Sequence, residues 1–144
     1  MGFTKENNKS RMTLLNLLNQ TDAGRWDISI KGGWTVGTLF CHIAFWDKMT
    51  THRLAQWSQS GKLAVLPDQE NIEAINASVR SMCSAIPCEA GKELVSNSMM
   101  EIDDLVSRLN SSQIKELEES GRARWFQRNL HRELHVSALE KQIL

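Results

Sequence analysis

The sequence predicts an all-α fold, and three observations predict it. Apolar residues recur at three- and four-residue spacing through most of the chain, the signature of one-sided helices. No stretch alternates with period two in β-branched residues, no GxGxxG follows a strand, and no repeat period is visible. Cap-type residues stand at the ends of the apolar stretches, and only two prolines occur in 144 residues. The expectation is a single domain, 1–144, with four main helices, the third split or kinked near Pro87.

The first helix is expected from about Thr4 to Asp22, with Met12, Leu14, Leu15 and Leu18 as its apolar stripe. Residues Ala23 to Gly33 read as a connector that Gly32-Gly33 closes, with Trp26 and Ile28 tucked under the bundle. A short strand at Asp27 to Lys31 has no evident partner elsewhere in the chain. The second helix is the most informative element: Trp34 to Trp57, with Thr35 as N-cap and Gly61 just past its end. Leu39, Phe40, Ile43, Trp46, Met49, Leu54 and Trp57 give it one broad apolar face, and His42 lies inside that face.

Ser58 to Pro67 is long enough to cross the bundle rather than turn straight back. Asp68 then caps a helix with Ile72, Ile75, Val79 and Met82 inward, ending near Ala85 before Pro87. A further helix runs from about Cys88 to Asn110, carrying Leu94, Val95, Met99, Ile102, Leu105, Val106 and Leu109. A short helical segment, Gln113 to Glu119, stops at Gly121. The last helix is expected over Arg122 to Ile143, with Trp125, Leu130, Leu134, Ala138 and Leu139 packing inward.

Lys plus Arg equals Asp plus Glu at 17 each, so the chain has no global field to hold a phosphate backbone, and nucleic acid is not an expected partner. Arg122, Arg124, Arg128 and Arg132 form the one basic cluster, flanked by Glu118, Glu119 and Glu133. No run has the length of a membrane span, and the N-terminus is polar. Cys41, Cys83 and Cys88 fit no disulfide or CxxC framework and read as buried thiols in a reducing, cytoplasmic setting. Five tryptophans and broadly apolar helices suggest a homodimer.

The histidines carry the chemistry. His131 and His135 are four apart on the last helix, so their rings share one face about 6 Å apart in rise, a spacing that lets two imidazoles grip one divalent ion. His42 is the third candidate, whereas His52 lies about 80° around and 15 Å along from it and reads as a surface residue. The residues alone leave two arrangements open. Either the three converge on a metal, or His42 hydrogen-bonds a carbonyl while His131 and His135 are solvated beside Arg132 and Glu133.

WTVGTLFCHIAFWD, NIEAINASV and WFQRNLHRELHVSALEKQI together resemble the DinB-like, or damage-inducible, superfamily. That superfamily includes the N-terminal domain of mycothiol-dependent maleylpyruvate isomerase and the bacillithiol transferases. The pattern is H-x-x-x-W on the second helix, here His42 with Trp46, and HxxxH on the last, here His131 with His135. The resemblance implies a four-helix bundle with up-down-down-up connectivity. It also implies one divalent metal, zinc or nickel, held by His42, His131 and His135 as neutral ligands, with positions left open for chemistry. The implied activity is a metal-dependent thiol S-transfer, in which a low-molecular-weight thiol attacks a small electrophile. A metal-dependent hydrolase in the same pocket and a non-catalytic ligand-binding or dimerising bundle are the alternatives. Arg128 would hold a carboxylate of thiol or substrate and Trp46 would wall the pocket; the plainer readings are a solvated arginine and a core tryptophan. Asp47 and Glu133 are acid–base candidates by residue type only, so no catalytic residue is assigned. No counterpart of the isomerase's second domain is present in the 144 residues, so isomerase activity is not expected.

Overall fold

The computed structural model describes residues 2–144. In chain order these form α1 (Gly2–Asn19), α2 (Ala23–Trp26), a ribbon of β1 (Ser29–Ile30) and β2 (Trp34–Thr35), and α3 (Val36–Ser60). Then come α4 (Gln69–Cys83), α5 (Cys88–Ser107), α6 (Ser111–Glu119) and α7 (Asn129–Ile143), with 3₁₀ turns at Lys31–Gly33 and Ala123–Trp125. The all-α expectation holds apart from the ribbon. The chain does split ahead of Pro87, into α4 and α5, and Pro87 stands at the N-cap of the second.

Local chemistry accounts for the ends of α3. The Thr35 N–H donates to Thr38 Oγ1 at 2.8 Å and the Thr38 N–H donates to Thr35 Oγ1 at 3.1 Å, a reciprocal capping box. At the other end Gly61 takes φ 72°, and its N–H donates to Trp57 O at 2.8 Å. Trp34 is not helical. It pairs with Ile30, and Thr35 pairs with Ser29, so the strand for which no partner was evident finds one four residues later. Gly32 and Gly33 have φ 83° and 81°, a reversal open to residues without a Cβ.

The helix directions follow from which residues meet. Trp26 packs over Gly37 and Gly91, near the starts of α3 and α5, and a Cβ at either glycine would run into the indole. Farther along the same two helices Lys48 pairs with Glu101, so α3 and α5 run parallel. Arg11 pairs with Asp103, and Cys88 Sγ approaches Thr21 O, so α1 is antiparallel to α5. Asn7 meets Asn129 at the start of α7, and Thr13 shares a groove with Val136 and Glu140, so α1 and α7 run parallel.

Two apolar clusters fill the interior. One gathers Leu14, Leu18, Val36, Phe40, Val95, Met99 and Leu139; the other gathers Leu54, Trp57, Ile102, Val106, Leu117, Trp125 and Phe126. Between them lies a polar layer drawn from α1, α3, α5 and α7 with its N-cap: Asn7, Ser10 and Arg11, then Asp47, then Asp103, then Arg128 and Arg132. Arg132, a member of the one basic cluster in the sequence, has 0% exposure. It donates to Asp47 Oδ2 at 3.1 Å and 3.3 Å, to both Asp103 oxygens at 2.8 Å and 2.9 Å, and to Asn7 O and Ser10 Oγ. Burial works against its charge, and the two carboxylates overcome that and hold the guanidinium protonated.

This layer corrects the expected inner face of the last helix. The fully buried positions of α7 are Asn129, Arg132, Leu139 and Ile143, whereas Leu130 and Leu134 are exposed, Leu134 at 67%. Two carboxylates already point at this stretch of α7, so the residue opposite them must be a cation rather than a leucine. The helix also starts at Asn129, not Arg122. The Asn7 side chain satisfies that start: its Oδ1 accepts from the Asn129 N–H at 3.0 Å while its Nδ2 donates to Phe126 O at 2.8 Å. Met12, Met82 and Leu94 are also exposed. On α1 the buried stripe runs Asn7, Ser10, Leu14, Leu17 and Leu18, which leaves Met12 on the far side. α4 packs mainly on α3, so it covers little beyond Val79.

Candidate metal centre

His42 projects from α3 toward the α7 face that carries His131 and His135. The i,i+4 spacing sets the latter two rings edge-on to each other, and the antiparallel crossing brings the third against them. His131 Nε2 lies 3.0 Å from His42 Nε2 and 3.3 Å from His135 Nε2, and one ligand atom from each of the three residues falls within 4.8 Å of the others. The ring centroids form a near-equilateral triangle of 4.9, 5.0 and 5.0 Å. Three nitrogens held about 2.1 Å from one ion stand roughly 3.0 Å apart at octahedral angles and 3.4 Å at tetrahedral ones. The separations of His131 Nε2 from His42 Nε2 and His135 Nε2 therefore match those of donors to one divalent cation, and these three residues could hold one.

Electrostatics keep the ligands in the required form. Burial, and then the neighbouring His135, lowers the His42 pKa from 6.5 to about 4. Burial followed by His42, Arg128, His135 and Arg132 lowers that of His131 to about 2, and burial lowers that of His135. All three are neutral at pH 7, as metal ligands must be. Ring orientation comes from packing: Trp34 stands edge-on to His42 with centroids 5.0 Å apart, and the Nδ1 atoms of His42 and His131 are buried without a hydrogen-bond partner.

A stability profile follows, and its sign is fixed by the lowered values. Between the folded-state pKa values and about 6.5, the unfolded chain binds protons that the folded chain refuses. The associated stability is complete above about pH 6.5 and is lost as pH falls, the His42 share by about 4 and the His131 share by about 2. Thermal melts of metal-free protein from pH 7 to pH 4.5 should show a falling Tm, and His42→Gln should flatten part of the slope. A melting temperature constant across that window in the wild-type chain would contradict neutral burial of the triad.

The histidines form one wall of a cavity of about 510 Å³ between α3, α4 and the segment entering α7. Trp46 lines it, half-buried, with its Nε1 donating to Asn76 Oδ1 on α4 at 2.8 Å. Arg128 lines it too, and is buried rather than solvated. Its Nε donates to Asp47 Oδ1 at 2.8 Å and its Nη1 to Arg124 O at 2.9 Å, with Nη2 making no hydrogen bond among the described residues. The two acid–base candidates do not reach the site. Asp47 is fully buried with both oxygens taken by Arg128 and Arg132, and Glu133 is exposed on the groove shared with Lys9 and Ser10. His52 is exposed, as expected. Cys41 follows the buried-thiol reading: it belongs to the first apolar cluster, and burial, with Cys83 next to it, pushes its pKa to about 12. Cys88 is buried as well and Cys83 half-buried.

Arg53 and Arg122 also line the cavity and were not anticipated as site residues. A signal for Arg53 existed: eleven residues past His42 returns to within about 20° of the same helix face. Arg122 gave none, because an irregular segment rather than a helix presents it. No helix among the described residues is long and apolar enough to cross a membrane. Comparison with family models, with curated proteins and with solved structures gives no match to this chain.

Proposed function

We propose that this protein is a DinB-like four-helix bundle that holds one divalent ion, zinc or nickel, on His42, His131 and His135. We infer that it transfers a low-molecular-weight thiol to small electrophiles. The observation that carries the reading is the convergence of three neutral imidazoles on the wall of a cavity large enough for a small substrate. The helix directions support the family part of it: α1 and α7 parallel, with α3 and α5 running the other way, is the sense of an up-down-down-up bundle.

An ion bound there supplies Lewis acidity, lowering the pKa of a thiol or water that reaches it. The chain's own residues bind and orient. Arg128, fixed by Asp47, offers its free Nη2 to a carboxylate on the thiol or electrophile, and Trp46, fixed by Asn76, forms a rigid apolar wall. No aspartate or glutamate among the described residues lines the cavity. A hydrolase would have no carboxylate base for its water, whereas a thiol with a pKa near 8.5 needs far less help to ionise. That difference favours transfer over hydrolysis.

The test is a conjugation assay with monochlorobimane and a panel of cysteine-containing small thiols. Turnover should require zinc or nickel and should vanish on chelation. Metal-dependent cleavage of ester or amide probes with no thiol conjugation would replace the transferase by the hydrolase. Neither activity across both panels would leave the non-catalytic bundle.

A further inference from the structure

The cavity is positively charged although the chain is neutral. Arg53, Arg122, Arg124 and Arg128 line it beside the three histidines, and no acidic residue among those described does so. Glu118 and Glu119, adjacent in sequence to the arginines, make no ion pair with them; the Glu119 partner is Lys115. The buried layer beneath does not offset this charge, because its two carboxylates, Asp47 and Asp103, are already shared among Arg11, Arg128 and Arg132.

Arg53 is the most exposed to this imbalance. Its guanidinium lies 5.9 Å from the Trp46 ring centroid and 5.7 Å from that of Trp125, with no ion pair or hydrogen bond among the described residues. Arg122 stands 5.5 Å from the same Trp125 ring, its Nη atoms tied to Ser120 O and Ala64 O and its buried Nε without a partner. Neither set of contacts cancels charge. Burial, and then Arg128 and Arg122, lower the Arg53 pKa, the mark of cations crowded without a counter-ion. A purely structural arginine pair would be expected to have recruited a carboxylate, as Arg128 and Arg132 have.

We propose that the Arg53–Arg122 end of the cavity binds the anionic group of an elongated organic ligand, a carboxylate or phosphate, whose other end reaches the histidines. Arg53 shares the His42 face about 16 Å farther along α3, so allowing for side-chain reach the ligand spans roughly 10 Å. As to which reaction this ligand enters, the inference rests on the transferase reading: the thiol or its electrophile is acidic. Anion binding itself is testable without turnover.

Calorimetric titration with adipate, with phenyl phosphate and with neutral adipamide provides the test, with zinc titrated into the same preparation. One of the two anions should bind at least about 10-fold more tightly than adipamide, and its affinity should fall as salt rises. Arg53→Gln should weaken that binding about 10-fold or more, and Arg53→Lys, which keeps the charge but not the planar fork, should weaken it less than Arg53→Gln. Preference for adipate assigns a carboxylate, preference for phenyl phosphate a phosphate. Equal affinity for anions and adipamide, or unchanged anion binding in a folded Arg53→Gln variant, overturns the proposal. Zinc binding in that case leaves the metal centre standing, and anion binding without zinc supports the anion site while removing the metal.

Discussion

His135→Ala should lower the affinity for zinc at least about 100-fold, and purified wild-type protein should carry about one divalent ion per chain. Outer-shell partners of a metal ligand are themselves worth about 10–100-fold in affinity, so losing one of three direct donors must cost no less. The donor set makes the effect larger still, because no carboxylate or cysteine thiolate stands by to replace a lost imidazole: Asp47 is committed to two arginines, and Cys41 faces the apolar cluster. Elemental analysis and competition with a chromophoric chelator measure both quantities. His52→Ala, altering an exposed residue, serves as the control and should bind like wild type. A double variant, His42→Ala with His131→Ala, that kept full occupancy would eliminate the site. The triad variants should fold, because the apo protein holds these neutral rings together at a cost: the Nδ1 atoms of His42 and His131 are buried without a partner.

What could be read from the chain and what could not divide along the range of the interactions. Thr35 and Thr38 are three residues apart, Asp68 caps Asn71, and Gly61 ends α3 in place, so these three ends were legible, whereas α1 and α5 stop three residues short of the expected Asp22 and Asn110. The histidine triad needed one long-range step: the i,i+4 pair and an imidazole on an apolar face left it open, and only the resemblance to the DinB-like superfamily implied it. The polar layer needed several at once. Arg132 is a core residue because of Asp47 and Asp103, 85 and 29 positions away, and α7 starts at Asn129 because Asn7, 122 positions away, accepts its N–H. An arginine beside a glutamate on an amphipathic stretch looks solvated until its partners are placed. Leu130 and Leu134 misled for the same reason: their spacing marks an apolar line, but the line with the arginine in it is the one that faces inward. The Trp34 strand was obscured by its position directly before a strong helix cap.

Asp47→Ala should destabilise the fold by about 3–5 kcal/mol, the range for removing one partner of a buried ion pair. For a chain of this size that corresponds to a fall in Tm of roughly 10 °C or more, and to a large part of a total stability of about 5–15 kcal/mol. The cost is that of leaving Arg128 and Arg132 buried against a single remaining carboxylate, Asp103, which already serves Arg11. Chemical denaturation of metal-free wild type and variant measures it. Asp47→Asn keeps the shape but removes the charge, so if electrostatics rather than packing dominate, it should approach the alanine variant. Replacing Asp47, Asp103, Arg11, Arg128 and Arg132 together by apolar residues of similar volume should recover part of the loss, since the layer then contains no unpaired charge. The layer's second contribution is positional. Asp47 sits five residues beyond His42 on α3, and Arg132 is the neighbour of His131 on α7, so their bonds at 3.1 Å and 3.3 Å lock the register in which the imidazoles meet. The variant with all five charged residues made apolar should therefore be stable yet bind zinc about 10-fold or more weakly than wild type, as metal sites do when their supporting residues are lost. Wild-type zinc affinity in that variant would mean that packing alone aligns α3 with α7, and that the charged layer contributes stability and nothing to the site.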